Sequence, residues 1–319
     1  RVKIMDNFSK NKKFTVTVGV PAYNEEANIK NLLNSILSQR KNNFELEKLI
    51  VLSDNSNDRT DEIVQNIIKE NSSIELIADG QRKGKNERLN QLYKMNRSDI
   101  VVNFDADILL KDEMVLEKMV DAFRNSEVGI VSANSRPTKA INFAQKMANA
   151  SENLWYEVRK DLNEGDNIYN IPGCATAITR SFAENFSFPK NSCADEIFQY
   201  LASKEKKLKF LFVKDAIVLY NSPSKLNELF RQFSRFLNNK NNATPYFSNN
   251  IIDIEKIFKA PFSFKIRGVS KSLIANPLYT TIVILFQIAL RIFPTKDDMH
   301  KKGMWNVVIS TKKAINNYE

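Results

Sequence analysis

Histidine and cysteine are nearly absent from this chain. His300 is the only histidine among 319 residues, and Cys174 and Cys193 are the only cysteines. Two cysteines are too few for a disulfide framework, and a single histidine outside the strand-rich part excludes His-based triads and His-based metal sites there. Any acid-base chemistry must therefore use carboxylates, lysine or tyrosine. Because nothing resembles a secretory signal, we expect a reducing cytosolic setting.

The net charge of +10 is concentrated in the last third of the chain. From Lys225 onward there are 15 Lys and Arg residues against 6 Asp and Glu residues, whereas the first 224 residues are nearly neutral. A basic segment of this kind can meet nucleic acid, an anionic membrane surface or a phosphorylated substrate. Charge alone does not choose among these partners.

Strand and helix patterns alternate along the first 110 residues. The predicted strands cover residues 14–20, 46–52, 74–77 and 100–104. The predicted helices between them cover residues 26–39, 61–69 and 85–95, and Asn24 is the expected N-cap of the first helix. This rhythm predicts an α/β fold with a mostly parallel sheet, helices on both faces and all the loops that follow strands gathered at one edge.

The alternation of strand and helix patterns continues to residue 237, with longer helices. Strands are predicted at 128–132, 174–179, 208–213 and 216–220. Helices are predicted at 111–125, 141–162 and 225–237, with a loop and helix at 192–204. No internal repeat is present, so this part reads as one large domain.

Two acids directly follow the apolar strand at 100–104. Asp105 and Asp107 sit one residue apart at the carboxyl end of that strand, where they would repel each other unless a cation lay between them. A hard divalent cation fits, because Mg²⁺ is held by one or two carboxylates together with phosphate oxygens. The alternative is a solvated acidic turn, and the neighbouring motifs favour the cation.

Six stretches, in this order, resemble the motifs of the family 2 glycosyltransferases. They are Val-Gly-Val-Pro-Ala-Tyr-Asn-Glu-Glu at 18–26, Leu-Ser-Asp-Asn-Ser-Asn-Asp-Arg-Thr at 52–60, Gly84-Lys85 through Leu89-Asn90, Asp-Ala-Asp at 105–107, Ala-Asp-Glu at 194–196 and Gln-Phe-Ser-Arg-Phe at 232–236. The resemblance implies the GT-A fold and inverting transfer of a sugar from a nucleotide-diphosphate sugar, with UDP as the expected nucleotide. No single stretch is specific for this family, but the six stretches in this order are.

The resemblance also implies a role for each motif residue. Asp105 and Asp107 would hold Mg²⁺ or Mn²⁺, and Asp195 or Glu196 would be the general base. The residues implied at the nucleotide-sugar site are Pro21, Tyr23, Glu25, Asp54, Lys85 and Asp105. Those implied at the acceptor or diphosphate are Gly173, Gln232 and Arg235.

Four departures from the family pattern matter. Ser53 replaces the first acid of the second motif, so only Asp54 can recognise the base. Phe236 replaces a tryptophan that is typical of processive polymer synthases. The catalytic pair reads Asp-Glu rather than Glu-Asp, and a histidine found near Tyr220 in some relatives is absent. The two aspartates and the diphosphate would therefore hold the metal without histidine.

The expected organisation is a lead at 1–13, a catalytic domain at 14–237 and a C-terminal segment at 251–319. The domain divides into a nucleotide-sugar half at 14–110 and an acceptor half at 111–237, and an Asn-rich mobile loop is predicted at 238–250.

The C-terminal segment contains the most apolar run, residues 278–293, which is shorter than the roughly 20 residues that span a bilayer. We expect it to insert at a membrane interface, to span the membrane or to pack on the catalytic domain. The expected location is the cytoplasmic face of the cell membrane, with a glycan or lipid-linked acceptor.

Three other functions use some of the same residues. A haloacid-dehalogenase-type phosphatase also carries Asp-x-Asp after an apolar strand, but normally after the first strand of its core. A nucleotidyltransferase would share the metal carboxylates and leave Asp195, Glu196 and Arg235 without a role. A nucleic-acid-binding protein would use the basic last third. We favour the glycosyltransferase and expect no nucleic-acid partner.

Overall fold

An eight-stranded mixed sheet lies at the centre of the part of the chain that the computed structural model describes, residues 13–192, 194–243, 246–247, 253–292 and 308–315. The strands are β1 (Phe14–Ala22), β2 (Phe44–Ser53), β3 (Ile74–Ala78), β4 (Ile100–Phe104), β5 (Ile108–Leu110), β6 (Val128–Pro137), β7 (Ala175–Thr179) and β8 (Lys209–Tyr220). Their order across the sheet is β3-β2-β1-β4-β7-β6-β8-β5. Strands β3, β2, β1 and β4 run parallel, and β7 runs antiparallel between β4 and β6.

Helices cover both faces of this sheet. They are α1 (Ile29–Leu37), α2 (Thr60–Ile68), α3 (Lys85–Met95), α4 (Val115–Asp121), α5 (Phe143–Arg159), α6 (Arg180–Glu184), α7 (Asp195–Glu205), α8 (Leu226–Ala243), α9 (Ile254–Ile257), α10 (Phe262–Ala275) and α11 (Pro277–Ile292). Helices α1, α2 and α4 bury their apolar faces on one side of the sheet, and α3, α6 and α7 do so on the other.

The side-chain alternation of the central strands explains the two layers. Val16 and Val18 of β1 belong to the core under α1, whereas Gly19 faces α3. A Cβ atom at Gly19 would lie 2.2 Å from Leu92 of α3. The missing side chain lets α3 pack close to β1, which places the first residue of that helix at the carboxyl edge of the sheet.

The N-terminal boundary of the first helix differs from the prediction. Helix α1 begins at Ile29 and is preceded by Asn28, so the N-cap assignment of Asn24 is wrong. Asn24 has a φ of 54°, and its side-chain carbonyl accepts a hydrogen bond of 2.9 Å from the backbone N–H of Asn57. Its side chain is used to join the loops after β1 and β2, which is why it does not cap the helix.

The end of the domain differs in two respects. The two strands predicted at 208–213 and 216–220 are one strand, β8, because a shift in register against β6 absorbs the interruption: Val213 pairs with Ala133 and Ile217 with Asn134. Helix α8 continues through residues 238–243, so the predicted loop is wrong there, and 244–245 and 248–250 lie outside the described residues.

The C-terminal helices α10 and α11 pack against α5. Gly268 of α10 lies where a Cβ atom would be 2.4 Å from Val158, and α11 buries Val283 and Leu290. Packing on the catalytic domain, one of the three expectations for the apolar run, is therefore observed. Within the described residues, no helix has the length and apolar character needed to cross a bilayer.

Candidate active site

Lys85 lies at the centre of the candidate active site. Helix α3 begins at Lys85 directly after Gly84, whose φ of 86° suits glycine. The Lys85 Nζ atom lies 2.6 Å from Oδ1 of Asp105 and 3.1 Å from Oδ2 of Asp195, and it donates a hydrogen bond of 3.1 Å to the carbonyl of Gly173. One ammonium group therefore joins the end of β4 to the start of α7.

Gly173 allows two carboxylates to approach the backbone before β7. Its φ is 76°, and a Cβ atom there would lie 3.2 Å from Oδ2 of Asp195 and 3.2 Å from Oε2 of Glu196. Ala194 has a left-handed φ of 64°, which costs a non-glycine residue about 1–2 kcal/mol. These two backbone conformations direct the acidic pair at the start of α7 towards Gly173.

Burial and neighbouring charges shift the pKa values of Lys85 and Asp195 in opposite directions. Asp195 is 3% exposed, and burial raises its pKa although the Lys85 ammonium opposes that shift. The Lys85 ammonium that opposes the shift lies 3.1 Å from Oδ2 of Asp195. Burial alone would lower the pKa of Lys85, but Asp105 and Asp195 outweigh it and raise that pKa well above its usual range. The lysine is therefore held in its charged form.

Asp105 and Asp107 lie where β4 ends, as predicted. The backbone N–H of Asp105 donates a hydrogen bond of 2.8 Å to the carbonyl of Cys174, which fixes the strand end. Loss of solvent, followed by the charge of Asp105, raises the pKa of Asp107. Burial and then the charge of Asp107 raise the pKa of Glu25 to about 8. The site thus concentrates more carboxylates than its own cations neutralise.

This surplus of oxygen ligands fits a hard divalent cation. The buried Oε2 atom of Glu25 has no hydrogen-bond partner in the described part of the chain. The described ranges contain no ready set of three His, Cys, Asp or Glu side chains that could hold a metal ion. Asp105 and Asp107 are therefore two candidate ligands of an incomplete site, and Mg²⁺ or Mn²⁺ in such sites takes its remaining oxygens from phosphate and water.

Asp54 organises the loop that precedes α3. Its Oδ1 atom accepts a hydrogen bond of 2.7 Å from the Lys83 N–H, and its Oδ2 atom accepts one of 3.0 Å from the Gly84 N–H. The fully buried guanidinium of Arg88 donates another of 3.1 Å. The Arg82 guanidinium lies 3.4 Å from Asp54 and 3.2 Å above the centre of the Tyr23 ring. Recognition of a base by Asp54 stays a prediction.

For the remaining predicted residues, the structure gives a position in the fold and no described contact with Lys85. Pro21 is on β1 opposite Leu52, at the same edge of the sheet. Gln232 is half-buried on α8, and no described contact joins it to Lys85 or the acids. Arg235 is on the same helix, but its side chain lies outside the described residues.

Three basic residues were missed as site residues. Arg88 lies one helical turn after Lys85 and pairs with Asp54 and Asp79, which each follow a strand, so a search for arginine beside strand-end acids could have found it. Arg82 could not be identified from the sequence, because its contacts depend on the conformation of the loop between β3 and α3. Lys312 contacts the turn after β1 from the far end of the chain, and no sequence signal connects the two.

Comparison with known proteins agrees with this geometry. A family model described as Glycosyl transferase family 2 matches residues 17–186, just over half of the chain. A beta-monoglucosyldiacylglycerol synthase of Trichormus variabilis is 30% identical over 142 residues, which cover 44% of this chain and 28% of that enzyme. A poly-beta-1,6-N-acetyl-D-glucosamine synthase of Staphylococcus aureus is 30% identical over 122 residues, which cover 38% of this chain and 28% of that enzyme. The chain thus spans less than a third of the length of these relatives.

A solved structure shows the same fold over most of the chain. The mannosyltransferase PcManGT from Pyrobaculum calidifontis, in complex with GDP-Man and Mn²⁺, superposes with a TM-score of 0.59 at 19% identity and covers 90% of this chain and 77% of that protein. The predicted GT-A type of α/β fold is therefore confirmed. Since the family model matches more than half of the chain, including the residues at the ends of β1, β2 and β4, this chain belongs to glycosyl transferase family 2.

Proposed function

We propose that this glycosyltransferase moves a sugar, with inversion and with a divalent cation, from a UDP-sugar to a hydroxyl group of a glycan or lipid-linked acceptor. The observation that carries the proposal is the Lys85 ammonium, which lies within 3.1 Å of both Asp105 and Asp195 at the carboxyl edge of the sheet. One bound donor would therefore lie next to both Asp105, on the expected donor side, and Asp195, on the expected acceptor side. The Pyrobaculum enzyme holds GDP-Man, so GDP-mannose is the second donor to test.

The donor side is built to receive a diphosphate. Asp105 and Asp107 would hold Mg²⁺ or Mn²⁺, which when bound neutralises the charge that grows on the leaving group. Lys85 supplies a permanent positive charge beside Asp105, and it would turn towards the diphosphate oxygens when the donor enters. The Arg82 guanidinium is stacked on the Tyr23 ring, and the pair would border the bound nucleotide.

The acceptor side provides the base. Asp195 is buried, whereas Glu196 in the same turn of α7 is half-buried, so an acceptor hydroxyl would reach Glu196 more readily. We therefore assign Glu196 as the base. It takes the proton of the acceptor hydroxyl while that oxygen bonds to the anomeric carbon, and the bond from that carbon to the diphosphate breaks with its electron pair leaving on the phosphate. Attack from the side opposite the nucleotide inverts the anomeric centre.

The membrane part of the proposal rests on the tip of the α10–α11 hairpin. Ile274 is 84% exposed and Leu278 is 64% exposed, on either side of the turn between the helices. Lys271 and Lys265 are exposed on α10. Exposed apolar side chains at the end of a basic helix suit the interface of an anionic bilayer. We propose that this tip holds the enzyme at the cytoplasmic face of the membrane, near a lipid-linked acceptor.

Nucleotide release tests the reaction and its cation. The purified chain is incubated with UDP-glucose, UDP-N-acetylglucosamine or GDP-mannose and Mn²⁺ or Mg²⁺, and nucleoside diphosphate is measured. We expect release with at least one donor, and a loss of roughly 100-fold or more on chelation or with Asp105→Asn and Asp107→Asn together.

The control removes the same two charges elsewhere, with Asp112→Asn and Glu113→Gln in the exposed turn after β5. It should keep wild-type activity. Undiminished turnover after chelation would contradict the proposal. Phosphate release from simple phosphoesters, or pyrophosphate release from nucleoside triphosphates, would support the phosphatase or the nucleotidyltransferase instead.

The assignment of the base is tested by comparing two neighbouring variants. In Glu196→Gln we expect kcat to fall about 100- to 10,000-fold while UDP affinity is unchanged, because only proton transfer is lost. In Asp195→Asn the partner of Lys85 changes, so both kcat and UDP affinity should fall. A Glu196→Gln variant with wild-type kcat would show that the base is another residue.

Vesicle flotation tests the membrane proposal. The wild-type chain should float with phosphatidylglycerol-rich vesicles, and Ile274→Asp with Leu278→Asp should remain at the bottom of the gradient. The control, Gln65→Asp with Asn66→Asp on the exposed face of α2, adds the same charge away from the tip and should float. Equal flotation of both double variants would exclude the hairpin tip as the contact.

A further inference from the structure

Residues 308–315, here called the C-terminal strap, lie against the turn that follows β1. The strap contains a short 3₁₀ turn at Ile309–Lys312 and ends at the buried Ile315. The Ile315 N–H donates a hydrogen bond of 3.0 Å to the side chain of Asn28, which precedes α1. The strap therefore touches the donor half of the domain although nearly the whole chain separates them in sequence.

The other side of the strap is anchored to the acceptor half. The N–H of Ser224 donates a hydrogen bond of 2.9 Å to Oγ of Ser310, and that hydroxyl donates to the buried carboxylate of Glu228 on α8. The side chain of Asn221 donates a hydrogen bond of 2.8 Å to the Lys313 carbonyl. The strap thus connects the start of α8 with the turn after β1.

Lys312 makes the contact with the donor side. Its ammonium donates hydrogen bonds to the carbonyl of Tyr23 at 2.6 Å, to the carbonyl of Asn24 at 3.1 Å and to the carboxylate of Glu25. An ammonium has three N–H groups, and each of them has an acceptor here. The side chain cannot leave this place without giving up three hydrogen bonds.

These three acceptors belong to the turn that carries two predicted nucleotide-sugar residues. The turn is strained at Asn24, whose φ is 54°. Glu25 is buried, and a buried carboxylate is costly unless a positive charge is paired with it. Lys312 supplies that charge and fixes the carbonyls on either side of the strained residue.

We propose that Lys312 is a positioning residue of the donor site: through the C-terminal strap it holds the Tyr23–Glu25 turn in the conformation that binds the nucleoside diphosphate. This inference rests on the proposed function, because it concerns the same donor site. It makes donor affinity depend on a residue that is 287 positions from Glu25 in the sequence.

The test compares the full chain with Lys312→Met, Lys312→Arg and the matched control Lys313→Met. Lys313 is the next residue on the strap and has an exposed side chain. Affinity for UDP and for GDP, each with Mn²⁺, is measured by calorimetry, and KM and kcat are measured with whichever donor the wild-type chain uses. Hydrogen exchange is followed in peptides that contain residues 22–28 and residues 100–104.

We expect Lys312→Met to weaken diphosphate binding and to raise the donor KM by about 10- to 100-fold, as for a lost set of hydrogen bonds to a charged group. Its kcat should change far less, because Glu196 and Lys85 are untouched. Exchange should rise in residues 22–28 and stay unchanged in residues 100–104, which shows that the domain remains folded. Lys312→Arg keeps a cation beside Glu25 and should lose less affinity, and Lys313→Met should match the wild type.

Two outcomes would overturn the inference, and they are distinguishable. If the wild type binds UDP or GDP and Lys312→Met binds equally well, Lys312 does not position the donor site although the proposed function stands. If the wild type binds neither diphosphate, the proposed function fails and the inference fails with it. Should Lys312→Met not fold, Lys312→Gln provides the second variant, since its neutral amide can donate at most two of the three hydrogen bonds; wild-type affinity there would also contradict the proposal.

Discussion

The shared ion pair of Lys85 with Asp105 and Asp195 is the interaction on which the site depends. Carboxylates that converge at one edge of a sheet repel one another, and burial increases the cost of keeping them charged. A single ammonium between Asp105 and Asp195 opposes both effects. Because one acid follows β4 and the other begins α7, the same ion pair also links two elements that are far apart in sequence.

Small residues make this ion pair sterically feasible. Gly19 lets α3 pack onto β1, Gly84 turns the chain into α3, and Gly173 leaves room for the two acids of α7. A side chain at Gly19 would displace α3, which carries the lysine, and one at Gly173 would displace the acids at the start of α7. The electrostatic centre therefore depends on close backbone approaches made by elements that are far apart in sequence.

A second lysine plays a comparable part on the donor side. Lys312 is paired with Glu25 as Lys85 is paired with Asp105, so two of the acids near the expected cation each have a lysine beside them. Lys85 pairs with Asp195 at the start of α7, whereas Lys312 belongs to the C-terminal strap. A bound diphosphate and metal ion would enter an environment in which positive charge is already distributed on both sides.

The sequence was sufficient for the parts of the site that follow from strand patterns. Asp105, Asp107 and Lys85 each follow or begin an element with strong periodicity, and parallel strands bring such positions to one edge. The register shift in β8 and the short strand β5 were not predictable, because they depend on pairing between distant strands. Asn24 was misassigned because its side chain serves a neighbouring loop, and Lys312 was missed because its partners are almost the whole chain away.

The most direct test of this account is the effect of Lys85→Met on two separate steps, UDP binding with Mn²⁺ and the single-turnover rate with saturating donor. The control is Lys83→Met, which removes a nearby ammonium that pairs with Asp79 instead. If one ammonium organises both halves of the site, both quantities should fall by roughly 10-fold or more in Lys85→Met and remain near wild type in Lys83→Met. Wild-type binding and wild-type turnover in Lys85→Met would contradict the account.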